Sequence, residues 1–126
     1  MGNMASPDAR ADQLVETSFA VIAVVTRVGA EHDLSLTAVR MLGILRDRVL
    51  TMAELADYLG LERSTVTGLV DRAVRRGLVV RETHASDGRS TYVRLTPEGH
   101  EQVDSAAAEV ARRIAPMIEG SRDLNV

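Results

Sequence analysis

The stretch from Thr51 to Gly60 is closed at both ends by residues that leave the backbone little choice. Thr51 and Glu54 stand three apart, so the threonine oxygen and the glutamate carboxylate can each satisfy a free amide at a helix start. Gly60 is the residue that tolerates the left-handed conformation in which helices commonly stop. Between them Leu55, Ala56 and Leu59 face inward. The helical pattern restarts after Leu61 and Glu62. Over residues 62–76, Val66, Leu69, Val70 and Ala73 share one side, Ser64, Gly68, Asp71 and Arg75 lie opposite, and Thr67 and Thr65/Arg72 take the two flanks. Two helices joined by so short a glycine-containing turn predict a helix-turn-helix.

The flanking segments extend this unit. Gly77 ends the second helix, and residues 78–83 and 91–95 read as strands around His84–Ser90, where Asp87-Gly88 is a strong turn signal. This hairpin is the expected wing. Upstream, residues 1–7 read as a disordered start, followed by a helix over about 8–30. There Leu14, Val21, Val25 and Val28 repeat at helical spacing, and Val15, Ile22 and Val24 widen the stripe until the middle is apolar nearly all round, so the helix needs burial on two sides. A second helix is predicted over about 35–48, with Val39, Leu42 and Leu45 on one face. Thr96-Pro97-Glu98 is a good start for the last helix, with a cap, a proline in the first turn and an acid at the positive end of the dipole. Val103, Ala107, Val110, Ile114 and Met117 follow as a stripe suited to a core or a subunit seam. Pro116 lacks an amide proton, which predicts a kink or an end there. The whole chain, 1–126, reads as one domain, mainly α with a small β-wing.

Composition narrows the function. Aromatic residues make up 2% of the chain, so small aliphatic side chains must build the core, and a partner subunit would add stability. The absence of cysteine excludes disulfides, thiol redox sensing and thiolate metal sites. Histidines 32, 84 and 100 are scattered, with no pair at ligand spacing, so neither a metal nor a cofactor is expected. Nothing resembles a nucleophile with its base, a phosphate loop or a carboxylate pair in a cleft, which argues against an enzyme. The longest unbroken apolar run, Phe19–Val25, is too short to span a bilayer, and no leader precedes it, so a soluble, cytoplasmic protein without membrane contact is expected.

The formal net charge is −3, yet residues 62–94 hold seven arginines against four acids, hence +3, which leaves −6 elsewhere. Every lysine-or-arginine position is arginine, the side chain suited to forked contacts with phosphate and guanine. In a major groove about 12 Å wide, Ser64, Thr65 and Thr67 can bond base edges or phosphates, while Arg63, Arg72 and Arg75 supply charge to the backbone. Arg89 at the wing tip suits the minor groove, where negative potential is concentrated. Asp87 is expected to brace the wing by pairing with Arg81 or Arg89.

The run MAELADYLGLERSTVTGLVDRAVRRGLVVRETHASDGRSTYVRLTPEG, Met52 to Gly99, resembles the core of the MarR family of regulators. It joins the A-x-x-L-G turn, the STVT…LVDR helix, RGLV-x-R, the D-G-R wing and the LTPEG helix opening. The resemblance implies a winged helix-turn-helix over 35–96, with recognition helix 62–76 and wing 78–95. Helices over about 8–33 and 97–118 would pair with their copies in a homodimer. It also implies that Arg89 enters the minor groove, that Arg63, Ser64, Thr65 and Thr67 meet the major groove of a palindromic duplex, and that a repressor is released by a small aromatic or amphipathic effector. Phe19, His32, Arg40 and Met41, near the junction of the first two helices, are the candidate ligand residues. Gly68 stands where many relatives place Arg or Lys, which implies altered specificity. Relatives usually continue with a further interlocking helix, which implies here either a smaller dimer interface or a chain that is a fragment. A winged helix used for protein contact and a metal-responsive regulator are the alternatives.

Overall fold

The computed structural model describes residues 6–84, 88 and 90–124. The order of elements is α1 (Pro7–Glu31), α2 (Leu36–Leu45), β1 (Leu50–Thr51), α3 (Met52–Leu59), α4 (Arg63–Arg75), β2 (Val79–Thr83), β3 (Thr91–Leu95) and α5 (Pro97–Leu124). The sheet is antiparallel in the order β1-β3-β2, with Leu50 opposite Val93 and Val79 opposite Leu95.

The local signals act as expected at the helix-turn-helix. Thr51 Oγ1 accepts from the Glu54 amide at 3.1 Å and Glu54 Oε1 accepts from the Thr51 amide at 2.9 Å, a complete capping box. Gly60 closes α3 at φ 69°, where a Cβ would clash with its own backbone. The main core then forms among α2, α3, α4 and the sheet: Met41, Leu42, Leu55, Val66, Val70 and Val93 are all fully buried. It is built almost wholly from aliphatic side chains.

A smaller cluster joins the outer helices. Val24 and Val28 of α1 pack with Ala106 of α5, and Val110, Ile114 and Met117 border them. Gly29 lets the α1–α2 turn fold back, because a Cβ there would lie 2.8 Å from both the Leu34 carbonyl oxygen and Val39 Cγ2. The first half of α1, residues 7–20, is exposed throughout.

Two expectations are corrected. First, α2 ends at Leu45, short of Arg48, because residues 46–49 turn back to set Leu50 and Thr51 against β3; this two-residue strand was not foreseen. Second, of the kink or end expected at Pro116, the end is overturned: α5 runs past it, and past the expected bound at 118, to Leu124. Proline there removes one helical bond, to the Arg112 carbonyl, but both residues are exposed, so water can satisfy the freed oxygen. Helix α1 is long and apolar enough by length and composition to cross a membrane, a test that core helices of soluble proteins also pass.

Candidate nucleic-acid interface

Helix α4 is fixed from behind by Val66, Leu69, Val70 and Ala73, all buried. Its other side is therefore presented outward, and Arg63, Ser64, Thr65, Thr67, Arg72 and Arg75 are all exposed. The N-cap residue Glu62 makes no side-chain cap bond, which leaves the first-turn amides open to an external acceptor. Thr67 Oγ1 donates to the Arg63 carbonyl at 2.9 Å, so its proton is committed while its lone pairs still face outward.

The arginines divide into two sets. Arg81 of β2 pairs with Asp71 of α4, binding the wing to the recognition helix. Arg94 donates to Glu82 at 2.6 Å across the wing strands, and this bond holds the Glu82 carboxyl below its usual range. Arg76, at the end of α4, donates at 2.7 and 2.9 Å to the carbonyls of Asp33 and His32. By contrast, Arg63, Arg72 and Arg75 make no hydrogen bond or ion pair with any described residue. Of the described arginines in the positive segment, three on one helix are thus left without a partner among the described residues.

Arg72 Nη1 lies 3.5 Å from where a Gly68 Cβ would be, so the Arg72 side chain lies back across the bare position and places a cation over it.

The wing is oriented at its base. Thr96 Oγ1 donates to the Gly77 carbonyl at 2.6 Å and accepts from the Gly99 amide at 3.0 Å, while the Thr96 amide donates to the Leu78 carbonyl at 3.0 Å. Gly99 is pressed so closely on the Leu78 carbonyl that no side chain fits. Sequence reading used Thr96 and Gly99 only as helix-start signals. Further along the wing, His84 and Tyr92 meet edge to face at 4.5 Å. Asp87 and Arg89 lie outside the described residues. Arg81 pairs with Asp71, an acid on α4 that precedes it by ten residues, and the expected pairing of Asp87 lies outside the described residues with Asp87 itself.

The four ligand candidates do not converge. Phe19 is 65% exposed on α1, His32 Nδ1 lies 2.8 Å from Gln102 Oε1, and Arg40 donates to the Leu59 carbonyl at 3.4 Å. Met41 is fully buried in the main core. The structure offers instead a groove of about 320 Å³ among α1, α2 and α5, lined by Val25, Val39, Gly43, Val103 and Ala107, with Arg46 at its edge. Arg46 Nε is 2.9 Å from Asp104. Among the described residues no group of three or more His, Asp or Glu could hold a metal ion.

A buried-backed helix with a free basic and hydroxyl face, followed by a wing, is a winged helix-turn-helix, and the comparisons agree. The model described as the MarR family matches residues 32–90. The chain is 33% identical over 95 residues to the uncharacterized HTH-type transcriptional regulator YkoM of Bacillus subtilis strain 168, covering 75% of this chain and 62% of that protein. It is 31% identical over 78 residues to the HTH-type transcriptional repressor YetL of the same organism, covering 62% of this chain and 47% of that one. The chain therefore spans only about half to three-fifths of these relatives' lengths. Among solved structures, CouR from Rhodococcus jostii RHA1, bound to p-coumaroyl-CoA, superposes with a TM-score of 0.77 at 27% identity, over 98% of this chain and 89% of that one. Over residues 32–90 the chain thus matches the MarR family, a family of transcriptional regulators.

Proposed function

We propose that this chain is a homodimeric transcriptional repressor that binds a palindromic double-stranded operator and is released by a small aromatic or amphipathic effector. The carrying observation is the face of α4, where Ser64, Thr65 and Thr67 share the surface with three arginines that no described carboxylate neutralises. Hydroxyls read base edges at low entropic cost, and free guanidiniums gain most from phosphate because no internal pair must first be broken. Arg89 is assigned to the minor groove and Asp87 to bracing it.

The dimer assignment rests on apolar surface that the protomer leaves uncovered. Leu14 is 70% exposed, Phe19 65% and Ile118 52%, all on α1 and α5, the helices that already share the smaller core. Covering them with a second copy removes a continuous apolar strip from water, at about 25 cal/mol per Å². The same strip accounts for the hydropathy of α1. The effector assignment rests on the groove among α1, α2 and α5, which adjoins that strip and has one cation at its edge. The repressor assignment follows the name of YetL, and effector response follows the ligand bound in CouR.

The deciding experiment is selection of bound DNA from a random duplex pool. Enrichment of a two-fold symmetric site with half-sites about one helical turn apart is expected. No enrichment would overturn the reading in favour of a protein-contact role.

A further inference from the structure

Helix α4 is joined to the rest of the fold in two ways. Its inner side, with Leu69, Val70 and Ala73, shares one aliphatic core with Met41 of α2 and Leu55 of α3. Attraction between such side chains is non-directional, so direction has to come from polar bonds. Among the described residues, side-chain hydrogen bonds leave α4 and its C-cap for other elements at two places. Asp71 receives Arg81 from the wing, and Arg76 donates to the turn that joins α1 to α2.

The receiving turn is held in one shape. Asp33 sits at φ 58°, in the left-handed region that an aspartate tolerates better than most side chains. The Leu34 amide donates back to the Gly29 carbonyl at 2.8 Å. The turn is also bound to α5 twice: Glu31 takes Arg113, and His32 Nδ1 lies 2.8 Å from Gln102 Oε1. Residues 31–33 thus form a node where α1 ends, which α5 grips and Arg76 reaches from α4. Arg76 Nη1 meets the Asp33 carbonyl and Nη2 the His32 carbonyl, so one planar fork fixes an angle as well as a distance.

We infer that Arg76 is the positioning residue that sets the angle of the recognition helix against the outer helices α1 and α5. The consequence for DNA rests on the homodimer reading above. With α1 and α5 as the seam, the angle of each α4 to that seam sets how far apart the two recognition helices stand. One base pair moves a half-site about 3.4 Å along the duplex and about 34° around it, which a rigid pair of helices does not follow. Arg76 thereby selects half-site spacing without reading a base.

The test begins without DNA and uses the absence of cysteine from the chain. Spin labels are placed on Thr65→Cys, at the end of α4 far from Arg76, and on Ser105→Cys, exposed on α5. Labelled chain is diluted with unlabelled chain, so that distances within one protomer are read. A single narrow distance distribution is expected with Arg76 present, a clearly broader one in Arg76→Gln, and an intermediate one in Arg76→Lys, which keeps a charged donor without the fork. The urea midpoint of each variant establishes that it is folded under the conditions used. Equal widths in Arg76→Gln and the parent would overturn the inference.

Duplexes carrying the selected half-sites at the selected spacing, and with a base pair added or removed between them, then read the consequence. The parent should lose at least about ten-fold in affinity on the altered spacings, and Arg76→Gln less than about three-fold, with the same bases preferred within each half-site. A loss of folded protein alone lowers affinity equally at every spacing, and an equal spacing penalty in both chains overturns the spacing role. Absence of any selected site for the parent sinks the DNA-binding reading and leaves the distance result standing.

Discussion

Arg113 of α5 donates from one guanidinium nitrogen to both carboxylate oxygens of Glu31 at the end of α1, at 2.8 Å each. Its Nε donates at 2.8 Å to Glu109 one turn earlier on α5, which also receives Arg112. Bonds from Arg112 and Arg113 hold the Glu109 carboxyl below its usual value, and Glu31 raises that of Arg113. A carboxylate whose folded pKa is depressed contributes stability that is complete above the unfolded value, about 4.3, and is lost as pH falls through the folded one. The urea midpoint should therefore drop on acidification below about pH 4.3, and Glu109→Gln should show a shallower drop than the parent. The two slopes agreeing would remove this cluster from the acid response. Because the cluster is only partly buried, with Glu31 and Arg112 exposed, the effect is modest.

On the DNA face, Thr67→Val should change which bases are preferred while leaving the salt dependence alone. Arg75→Ala should do the reverse, reducing the slope of log affinity against log salt by about 1. Arg89→Ala should weaken operator binding several-fold with the dimer intact. Selection from a duplex pool and salt titrations of each variant measure these; an unchanged preference in Thr67→Val would take that residue out of base readout.

The uncovered strip on α1 predicts the oligomeric state. Phe19→Glu places a charge in the proposed seam, where burial of an unpaired carboxylate is strongly unfavourable. Sedimentation should shift from dimer to protomer, and operator affinity should fall with it. A variant that sediments as the parent does would move the seam elsewhere.

Packing at the foot of the wing gives the sharpest stability prediction. Gly99→Ala forces a methyl against the Leu78 backbone, which must move. Overpacking of this kind costs about 1–3 kcal/mol. The urea midpoint should fall with an unchanged denaturant slope, the signature of a change in stability rather than in compactness.

The legible parts of this fold were those decided within a few residues. The Thr51–Glu54 box, the stop at Gly60, the wing strands and the Thr96-Pro97 start all depend on local hydrogen bonding, and each stands where the sequence placed it. What escaped depends on distant partners. Two residues, Leu50 and Thr51, have no periodicity of their own and become a strand only against β3. Asp71 reads as one polar residue on a helix face until the fold brings Arg81 beside it. Pro116 lacks an amide proton wherever it stands, but whether the missing bond ends the helix depends on exposure, which makes it tolerable here. Among the site residues, the outward set on α4 follows from helical geometry alone, but Phe19, His32, Arg40 and Met41 were chosen by nearness in the chain, and the helices carry them to different surroundings.

The lack of partners for Arg63, Arg72 and Arg75 among the described residues has a consequence for how the protein behaves before any duplex arrives. Cations with no carboxylate of their own gather small anions from the buffer, and DNA must displace these as it sheds its own condensed cations. The anion chosen by the experimenter, weakly held glutamate or more tightly held chloride, then tunes the affinity as surely as a substitution does, while the folded chain stays the same.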